Sequence, residues 1–480
     1  MNYWAGSADA LILPGGTAPG DVATLMSAIQ REFVPAAGMP RPSRVIVPVD
    51  PGADIERVRT ILAERVVDPI SPAVAVILQT SGSTTGVGHL VGLSRLSLTA
   101  GAHATAGALS GYGTWVLCLP THHVAGFQIL VRSVVADRVP IVVDTTRGFR
   151  VEAMARAVRR AVKKPGPAYS SIVPAQLQMI MQAAAEDIDA LCELDAILVG
   201  GQATDPELLE RARDRGLKLV TTYGMTETGG GCVYDGVPLR GVKVATIDQR
   251  VWISGTTIMD GYVDDPHSGA LVTAAGRRWL RTSDQGRMVG PKLQVVGRID
   301  SVINTGGVKV QPSIVEDSLR TLSAIEDVCV VGLPHPKWGQ VVTAVFVPSP
   351  NADPNELAAM RRRRGLLPAD AGPQAVVPPS EALKQAVAEM AASIRGDDQP
   401  AESATTVFAQ LAPGPRQVEG DADIALRMRA HVAAELGRAQ APRIVCMVDE
   451  LPRLGIGKID RRRVAQIAQA EVTAGHAWIR

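Results

Sequence analysis

The chain is 480 residues long, enough for roughly two to four domains, and its 49 Lys and Arg against 48 Asp and Glu leave a formal charge of +1. That balance supplies no basic footprint for nucleic acid or an anionic membrane. With 46% hydrophobic residues the composition is that of an ordinary globular protein, and no apolar run reaches the ~18 residues of a bilayer span.

The N-terminus, MNYWAGSADALILPGG, lacks the basic flank and long apolar core of a secretory signal, so a cytoplasmic location is expected. Through the first 220 residues, apolar β-branched runs recur as RVIVPV, VAVILQT, TWVLCLP, VPIVVD, DAILVGG and LKLVTTYG. Helical patterning fills several gaps, as in VEAMARAVRRAVKK and in DPELLERARDRG, the latter opened by an Asp–Pro start signal. This alternation predicts an α/β architecture with largely parallel sheets. From about 230 to 300 the texture changes to short strands and turns, QRVWISG, GRRWLRTSDQG and KLQVVGR, a β-rich unit. Beyond Asp300 a Gly-Gly turn, a helix PSIVEDSLRTL and strands IEDVCVVGL and QVVTAVFVPS predict a small α+β domain. Residues 350–422, rich in Ala, Pro, Asp and Arg with RRRR at 361–364, are expected to form an exposed insertion, helical in part. The basic run reads as a solvated loop, with an acidic partner as the alternative. Cys118, Cys192, Cys232, Cys329 and Cys446 form no CxxC or Cys/His cluster that would frame a metal or a disulfide, and plain thiols are expected.

Four stretches carry residue types suited to chemistry. After the strand ending near Gln79 come Thr80, Ser81, Gly82, Ser83, Thr84, Thr85 and Gly86. Glycines permit close backbone approach, and hydroxyls with free N–H groups can wrap phosphate oxygens. No lysine stands where a GxxxxGK[ST] loop needs one, and a simple turn is the alternative. In TTYGMTETGGG at 221–231, Tyr223 can stack on a base, Thr226 can bond phosphate and Glu227 can hold Mg2+ through oxygen. The alternative there is a strand-to-turn junction. RTSDQGRM and VVGRIDSVINTGGVKVQP bring Asp284, a carboxylate suited to two ribose hydroxyls, and Arg298, a phosphate partner. LPRLGIGKIDRR sets Lys458 in a glycine-flanked turn, where a lysine is either catalytic or an inert surface group.

In this order TSGST, YGMTET, TSDQGR, GRIDSVINTGGVKV and GIGKIDRR resemble the successive core motifs of the adenylate-forming superfamily of acyl-CoA synthetases, adenylation domains and luciferases, over roughly residues 75–465. The resemblance implies a large N-terminal domain of two α/β lobes plus a β-barrel over 1–299. It implies a small mobile α+β C-terminal domain over 300–480 that carries the insertion at 350–422. Thr80, Ser81, Gly82, Ser83 and Thr84 would form the phosphate loop, and Gly200, Gly201 and Gln202 would lie with Tyr223 on the adenine side. Thr226 would meet the α-phosphate, Glu227 would hold Mg2+, and Asp284 would take the ribose hydroxyls. Arg298 would help hold the nucleotide, Asp300 would be the hinge, and Lys458 would enter the site for adenylation. The phosphate loop departs from the family's TSGTTGxPKG: TSGSTTGVGHLVGLS has an extra residue, and Val87, Gly88 and His89 stand in place of Pro-Lys-Gly. His89 is the candidate substitute for the missing lysine, with a non-participating histidine as the alternative.

LPTHHVAGFQILVRSVVA and YGMTETGGGCVYDGVPLRGVKV are similar to the actinobacterial type of o-succinylbenzoate:CoA ligase, which serves menaquinone synthesis. That resemblance implies ATP-dependent ligation of 2-succinylbenzoate to coenzyme A through an acyl-adenylate, with ATP, Mg2+ and coenzyme A as cofactor and co-substrates. Activation of another carboxylic acid on the same fold is the alternative, and a non-catalytic nucleotide-binding relative is the reading from another class. His123 matches the PxxHxxG histidine that lines the acyl pocket, with His122 beside it; a core histidine satisfied by backbone is the alternative. The implied substrate is a dianion, and burying an unpaired carboxylate is costly. Arg132 and the Gly229–Gly231 segment, with Gly229 and Gly230 foremost, are therefore candidates for its pocket, a structural salt bridge being the alternative for Arg132. The expected partners are these small molecules, without nucleic acid or a membrane span, and a homodimer is left open.

Overall fold

A computed structural model describes residues 10–33, 44–66, 68–80, 88–364, 423–454 and 458–480. The chain divides into two units, one holding residues 1–295 with 455–458 and the other 296–454 with 459–480.

Among the described residues the larger unit contains three sheets. The first orders Ala10–Pro14, Val45–Val49, Val74–Gln79, Leu90–Ser94 and Gly261–Tyr262, parallel through the first three strands and antiparallel after them. The second orders Val237–Pro238, Gly230–Tyr234, Leu219–Met225, Ala196–Val199, Ala168–Ile172, Thr114–Leu117 and Ile141–Val142. Its strands from Leu219–Met225 to Ile141–Val142 are parallel, and their AILV-type runs are buried because helices cover both faces. The third is antiparallel, Val242–Ile247, Arg250–Gly255, Arg277–Val289 and Leu271–Ala274, with Lys292–Arg298 added to the long strand. The α/β alternation and the later β-rich unit are thus both present.

Local chemistry explains the helices between these strands. Val151, Met154, Ala155, Val158 and Ala161 recur at helical spacing and are all buried, so Val151–Ala161 lays one face on the second sheet. Helix Pro206–Asp214 starts where Asp205 accepts the Glu207 N–H at 3.0 Å and Pro206 takes a position that needs no amide donor.

Among its described residues the smaller unit has one six-stranded sheet, ordered Val308–Val310, Ile303–Thr305, Gly339–Pro348, Ile444–Met447 and Trp478–Ile479, with Ile325–His335 paired along Gly339–Pro348. Helices Pro312–Arg320, Pro354–Arg363, Ile424–Glu435 and Arg461–Thr473 pack on it. The exposed insertion expected over 350–422 needs correction at its start. Pro354–Arg363 is a helix capped by Asp353, and its Leu357 and Met360 are buried in the core with Met428 and Val432. The RRRR run is likewise not a loop: it closes this helix, with Arg362 and Arg363 exposed. Arg363 donates to the Ala477 carbonyl at 3.2 Å and Arg364 to Asp449 at 3.2 Å. Two apolar residues at i and i+3 suffice to bury a face, and the surrounding arginines hid that pattern. The remainder, 365–422, lies outside the described residues. All five cysteines are free thiols; burial pushes Cys118, Cys232 and Cys446 up to about 12. No helix among the described residues is long and apolar enough to cross a membrane.

Candidate active site

In open α/β sheets, ligands gather beyond the carboxyl ends of the parallel strands. Strands Ala196–Val199 and Leu219–Met225 lie side by side and parallel, so the segments that leave them, Gly200-Gly201-Gln202 and Thr226-Glu227, emerge at the same edge. Glycine is required at 200, because a Cβ there would stand 2.2 Å from the Thr222 hydroxyl oxygen on the neighbouring strand. After Met225 the chain makes a 3-10 turn, Thr226–Thr228, in which the Met225 N–H donates to the Thr228 hydroxyl at 2.9 Å. Gly229 and Gly230 then take φ of +61° and +109°, which returns the chain as the antiparallel strand Gly230–Tyr234.

Tyr223 and Asp284, assigned separately to adenine and ribose, are bonded to each other. The Tyr223 phenol donates to Asp284 Oδ2 at 2.7 Å. Asp284 is 7% exposed, and its backbone N–H donates to the Thr282 hydroxyl at 3.1 Å. Burial, then the Asp284 charge, pushes the Tyr223 phenol far above its ordinary range, so it stays protonated and donates.

A second group forms around Glu227. Tyr262 donates its phenol hydrogen to Glu227 Oε1 at 2.7 Å, and the ring of His89 stacks on Tyr262 with centroids 4.4 Å apart and planes at 24°. The His89 N–H in turn donates to the Thr80 hydroxyl at 2.9 Å, while the Thr80 N–H donates to the His89 carbonyl at 2.9 Å. These two bonds clasp both ends of the Ser/Thr/Gly stretch. Ser81, Gly82, Ser83 and Thr84 themselves lie outside the described residues. His89 is further flanked by Asp264, whose carboxylate lies 3.6 Å from Nδ1, accepts the Leu90 N–H at 2.8 Å and pairs with Arg65. Tyr262 was not anticipated; a Gly-Tyr pair in a two-residue strand has no periodicity to mark it.

His123 precedes helix Val124–Val135 as its N-cap residue, with its ring 4.2 Å from that of His122. His122 is tied to the Gly15 carbonyl at 2.7 Å and lies 3.7 Å from Asp50. Burial, then the neighbouring His122, lowers His123 to about 4, so it is a neutral imidazole at physiological pH. One turn into the same helix, buried Gln128 packs against the Gly229–Gly230 turn: a Cβ on Gly230 would stand 3.2 Å from Gln128 Cγ. Gln128 therefore joins the residues beside the acid-pocket candidates. Arg132, another turn on, is buried among other residues. Its guanidinium lies 4.8 Å over the Trp115 ring and donates to the Tyr234 hydroxyl at 3.2 Å. The space beside it, lined also by Thr105, Trp115 and Tyr169, is about 10 Å³, against the roughly 300–1,000 Å³ of ligand pockets.

In the smaller unit Arg298 and Asp300, the expected nucleotide cation and hinge, form a fork. Arg298 donates through Nε at 2.9 Å and Nη2 at 2.5 Å to the two carboxylate oxygens, across the 3-10 turn Ile299–Ser301. Lys458 is half-buried and immediately precedes Ile459, which bridges back to Arg453. Among the described residues no group of three or more His, Cys, Asp and Glu could hold a metal by itself. Mg2+ usually takes one or two carboxylates plus substrate phosphates. Glu227, with one oxygen oriented by Tyr262, fits that requirement.

Residues 63–274 match the family described as AMP-binding enzyme and residues 314–389 its C-terminal domain. The protein named "Probable 2-succinylbenzoate--CoA ligase" of Mycobacterium tuberculosis (strain H37Rv) is 34% identical over 456 residues, 94% of this chain and 96% of that one. The chain belongs to the AMP-binding, adenylate-forming enzyme family. The 2-succinylbenzoate--CoA ligase of Escherichia coli (strain K12) is 30% identical over 240 residues, 48% of this chain and 49% of that protein. Among solved structures, o-succinylbenzoate CoA synthetase (MenE) of Bacillus subtilis in complex with the acyl-adenylate intermediate OSB-AMP matches with a TM-score of 0.59 at 18% identity, over 95% of this chain and 87% of that one. An ATP-bound RpMatB-BxBclM chimera matches with a TM-score of 0.62 at 16% identity, over 97% and 80%. At such identities the structural likeness is one of fold, and it is the fold expected from the motifs.

Proposed function

We propose that this chain is an AMP-forming acid–thiol ligase that joins 2-succinylbenzoate to coenzyme A, using ATP, in menaquinone biosynthesis. The observation that carries this reading is the edge of the second sheet. There Tyr223 lies on strand Leu219–Met225, Thr226 and Glu227 follow its end, and Asp284 is bonded to Tyr223. That arrangement supports a reading in which Tyr223 is an aromatic platform, Thr226 a phosphate-facing hydroxyl, Glu227 a carboxylate for a cation and Asp284 a ribose acceptor. The choice of acid rests on the 34% identity to a ligase named for 2-succinylbenzoate.

Adenosine would lie against Tyr223 and the Gly200–Gln202 segment, with its ribose hydroxyls on Asp284. Thr226 and the loop beginning at Thr80 would hold the phosphates. Glu227 would hold Mg2+, whose chemistry there is to neutralise phosphate charge. The succinyl carboxylate attacks the α-phosphorus as the α–β phosphoanhydride breaks, yielding the mixed anhydride and pyrophosphate, and Lys458 offsets charge on the transferring group. The thiol of coenzyme A then attacks the acyl carbonyl as the acyl–phosphate bond breaks, releasing AMP. Neutral His123 and the Gly229–Gly230 turn would border the acyl group, and Gln128 would support that turn. Such catalysis is mainly placement and preorganised charge. Rotation about Asp300 would withdraw Lys458 between the two steps.

The test is pyrophosphate and AMP release with Mg2+-ATP, coenzyme A and a panel of acids, with product mass determined. A succinylbenzoyl-CoA product formed with 2-succinylbenzoate supports the assignment. Turnover of a different acid alone would reassign the substrate and keep the reaction class.

A further inference from the structure

The mechanism leaves unused an ion pair at the point where the chain departs toward Lys458. Glu316, 3% exposed, sits on helix Pro312–Arg320 and receives a two-pronged bond from Arg461, Nη1 to Oε1 at 2.6 Å and Nη2 to Oε2 at 2.7 Å. Arg461 also donates to the Val330 carbonyl at 2.9 Å, and the Val330 N–H donates to Glu316 Oε1 at 2.7 Å. One carboxylate therefore ties a helix, the strand Ile325–His335 and the first residue of helix Arg461–Thr473.

Two features make this more than a packing detail. A cation in the first turn of a helix opposes the helix dipole, so Arg461 is badly placed if its role were to stabilise its own helix. Glu316 is buried while the Arg461 side chain is 36% exposed; such a half-buried ion pair is a weak source of net stability, whereas its fork fixes orientation. The chain on the N-terminal side of Arg461 is short and tied down. The Asp460 N–H donates to the Pro452 carbonyl at 2.9 Å, the Asp460 side chain caps the Arg463 N–H at 3.0 Å, and Ile459 bridges Arg453. Lys458 comes next, three residues from Arg461, so their Cα atoms are within ~11 Å of each other by chain length alone.

We propose that Glu316 is a positioning residue for adenylation: through its fork with Arg461 it sets the direction in which the chain presents Lys458. This rests on the reading that Lys458 acts in the first half-reaction. Glu316→Gln keeps the volume and the acceptor for Val330 but cannot grip a guanidinium with two charged oxygens.

The two half-reactions are measured separately in the full-length enzyme, as acid-dependent pyrophosphate–ATP exchange and as thioester formation from supplied acyl-adenylate and coenzyme A. In Glu316→Gln the exchange kcat is expected to fall on the order of 10- to 100-fold, with a smaller change in the KM for ATP and thioester formation kept. Arg461→Lys, which retains the charge and loses the fork, should shift the same half-reaction in the same direction. The decisive arm is a double-variant cycle: Lys458→Ala with Glu316→Gln should exchange no more slowly than Lys458→Ala alone, because Glu316 acts through the lysine. Additive losses, or equal losses in both half-reactions, would make Glu316 merely structural and overturn the proposal. Failure of the underlying reading is distinguishable. If Lys458→Ala exchanged at the wild-type rate, the role of the lysine would fall and the proposal with it. If only another acid supported exchange, the substrate would change and the same cycle, run with that acid, would still decide the role of Glu316.

Discussion

The phenol of Tyr223 donates to the carboxylate of Asp284 at 2.7 Å, joining the end of a parallel strand of the second sheet to the long strand of the third. Two residues proposed for different parts of a nucleotide are thereby one unit, and the orientation of the Asp284 carboxylate depends on the Tyr223 phenol. Tyr223→Phe removes that donor while keeping the ring. Hydrogen bonds to charged groups contribute ~1.5–3 kcal/mol, so the KM for ATP should rise by roughly tenfold or more. Titration of pyrophosphate exchange against ATP gives the value, and an unchanged KM would show that Asp284 is held without Tyr223.

His123 has its pKa lowered from 6.5 to about 4. Between those values the unfolded chain binds a proton that the folded chain refuses, so this group's contribution is present above pH 6.5 and is lost as the pH falls through that window. The full shift corresponds to ~3 kcal/mol at most. In denaturant unfolding, His123→Gln should lose less stability than the wild type between pH 7 and pH 4.5; parallel losses would rule out a titrating His123.

Tyr262 orients Glu227 through one hydrogen bond at 2.7 Å. Tyr262→Phe frees the carboxylate to rotate, and the Mg2+ concentration for half-maximal exchange is expected to rise several-fold, with less change once Mg2+ is saturating. A lowered kcat at every Mg2+ concentration would instead place Tyr262 in contact with the reacting groups.

Lys458→Ala should reduce adenylation on the order of 10²- to 10³-fold and leave the conversion of supplied acyl-adenylate to thioester largely intact. Loss of both steps in proportion would point to misfolding of the chain around residue 458.

Asp300→Pro has the opposite expected bias. It breaks the Arg298 fork and restricts φ at the turn Ile299–Ser301, so thioester formation should suffer more than adenylate formation. Equal impairment would argue against a hinge at this residue.

Much of the molecule was readable from order and spacing alone. The β-branched runs of the first 220 residues became the parallel strands because a strand covered on both faces must be apolar throughout. Val151–Ala161 became a helix because its apolar residues return every three to four positions. The motif order identified the family, and with it which residues could meet a nucleotide, since Tyr223, Thr226, Glu227 and Asp284 carry the needed groups whatever surrounds them. Tertiary structure alone decided which of these groups touch. Nothing local links Tyr223 to Asp284, Glu227 to Tyr262, or Thr80 to His89 beneath that tyrosine; each pair is made by strands or loops brought together in space. It also gave Arg132 to Trp115 and Tyr234, and drew Leu357 and Met360 into a core that their arginine-rich surroundings concealed. A sequence states the chemistry available at each position, because side chains are local. Which partner uses that chemistry depends on long-range contacts, and those are set only when the whole apolar interior packs.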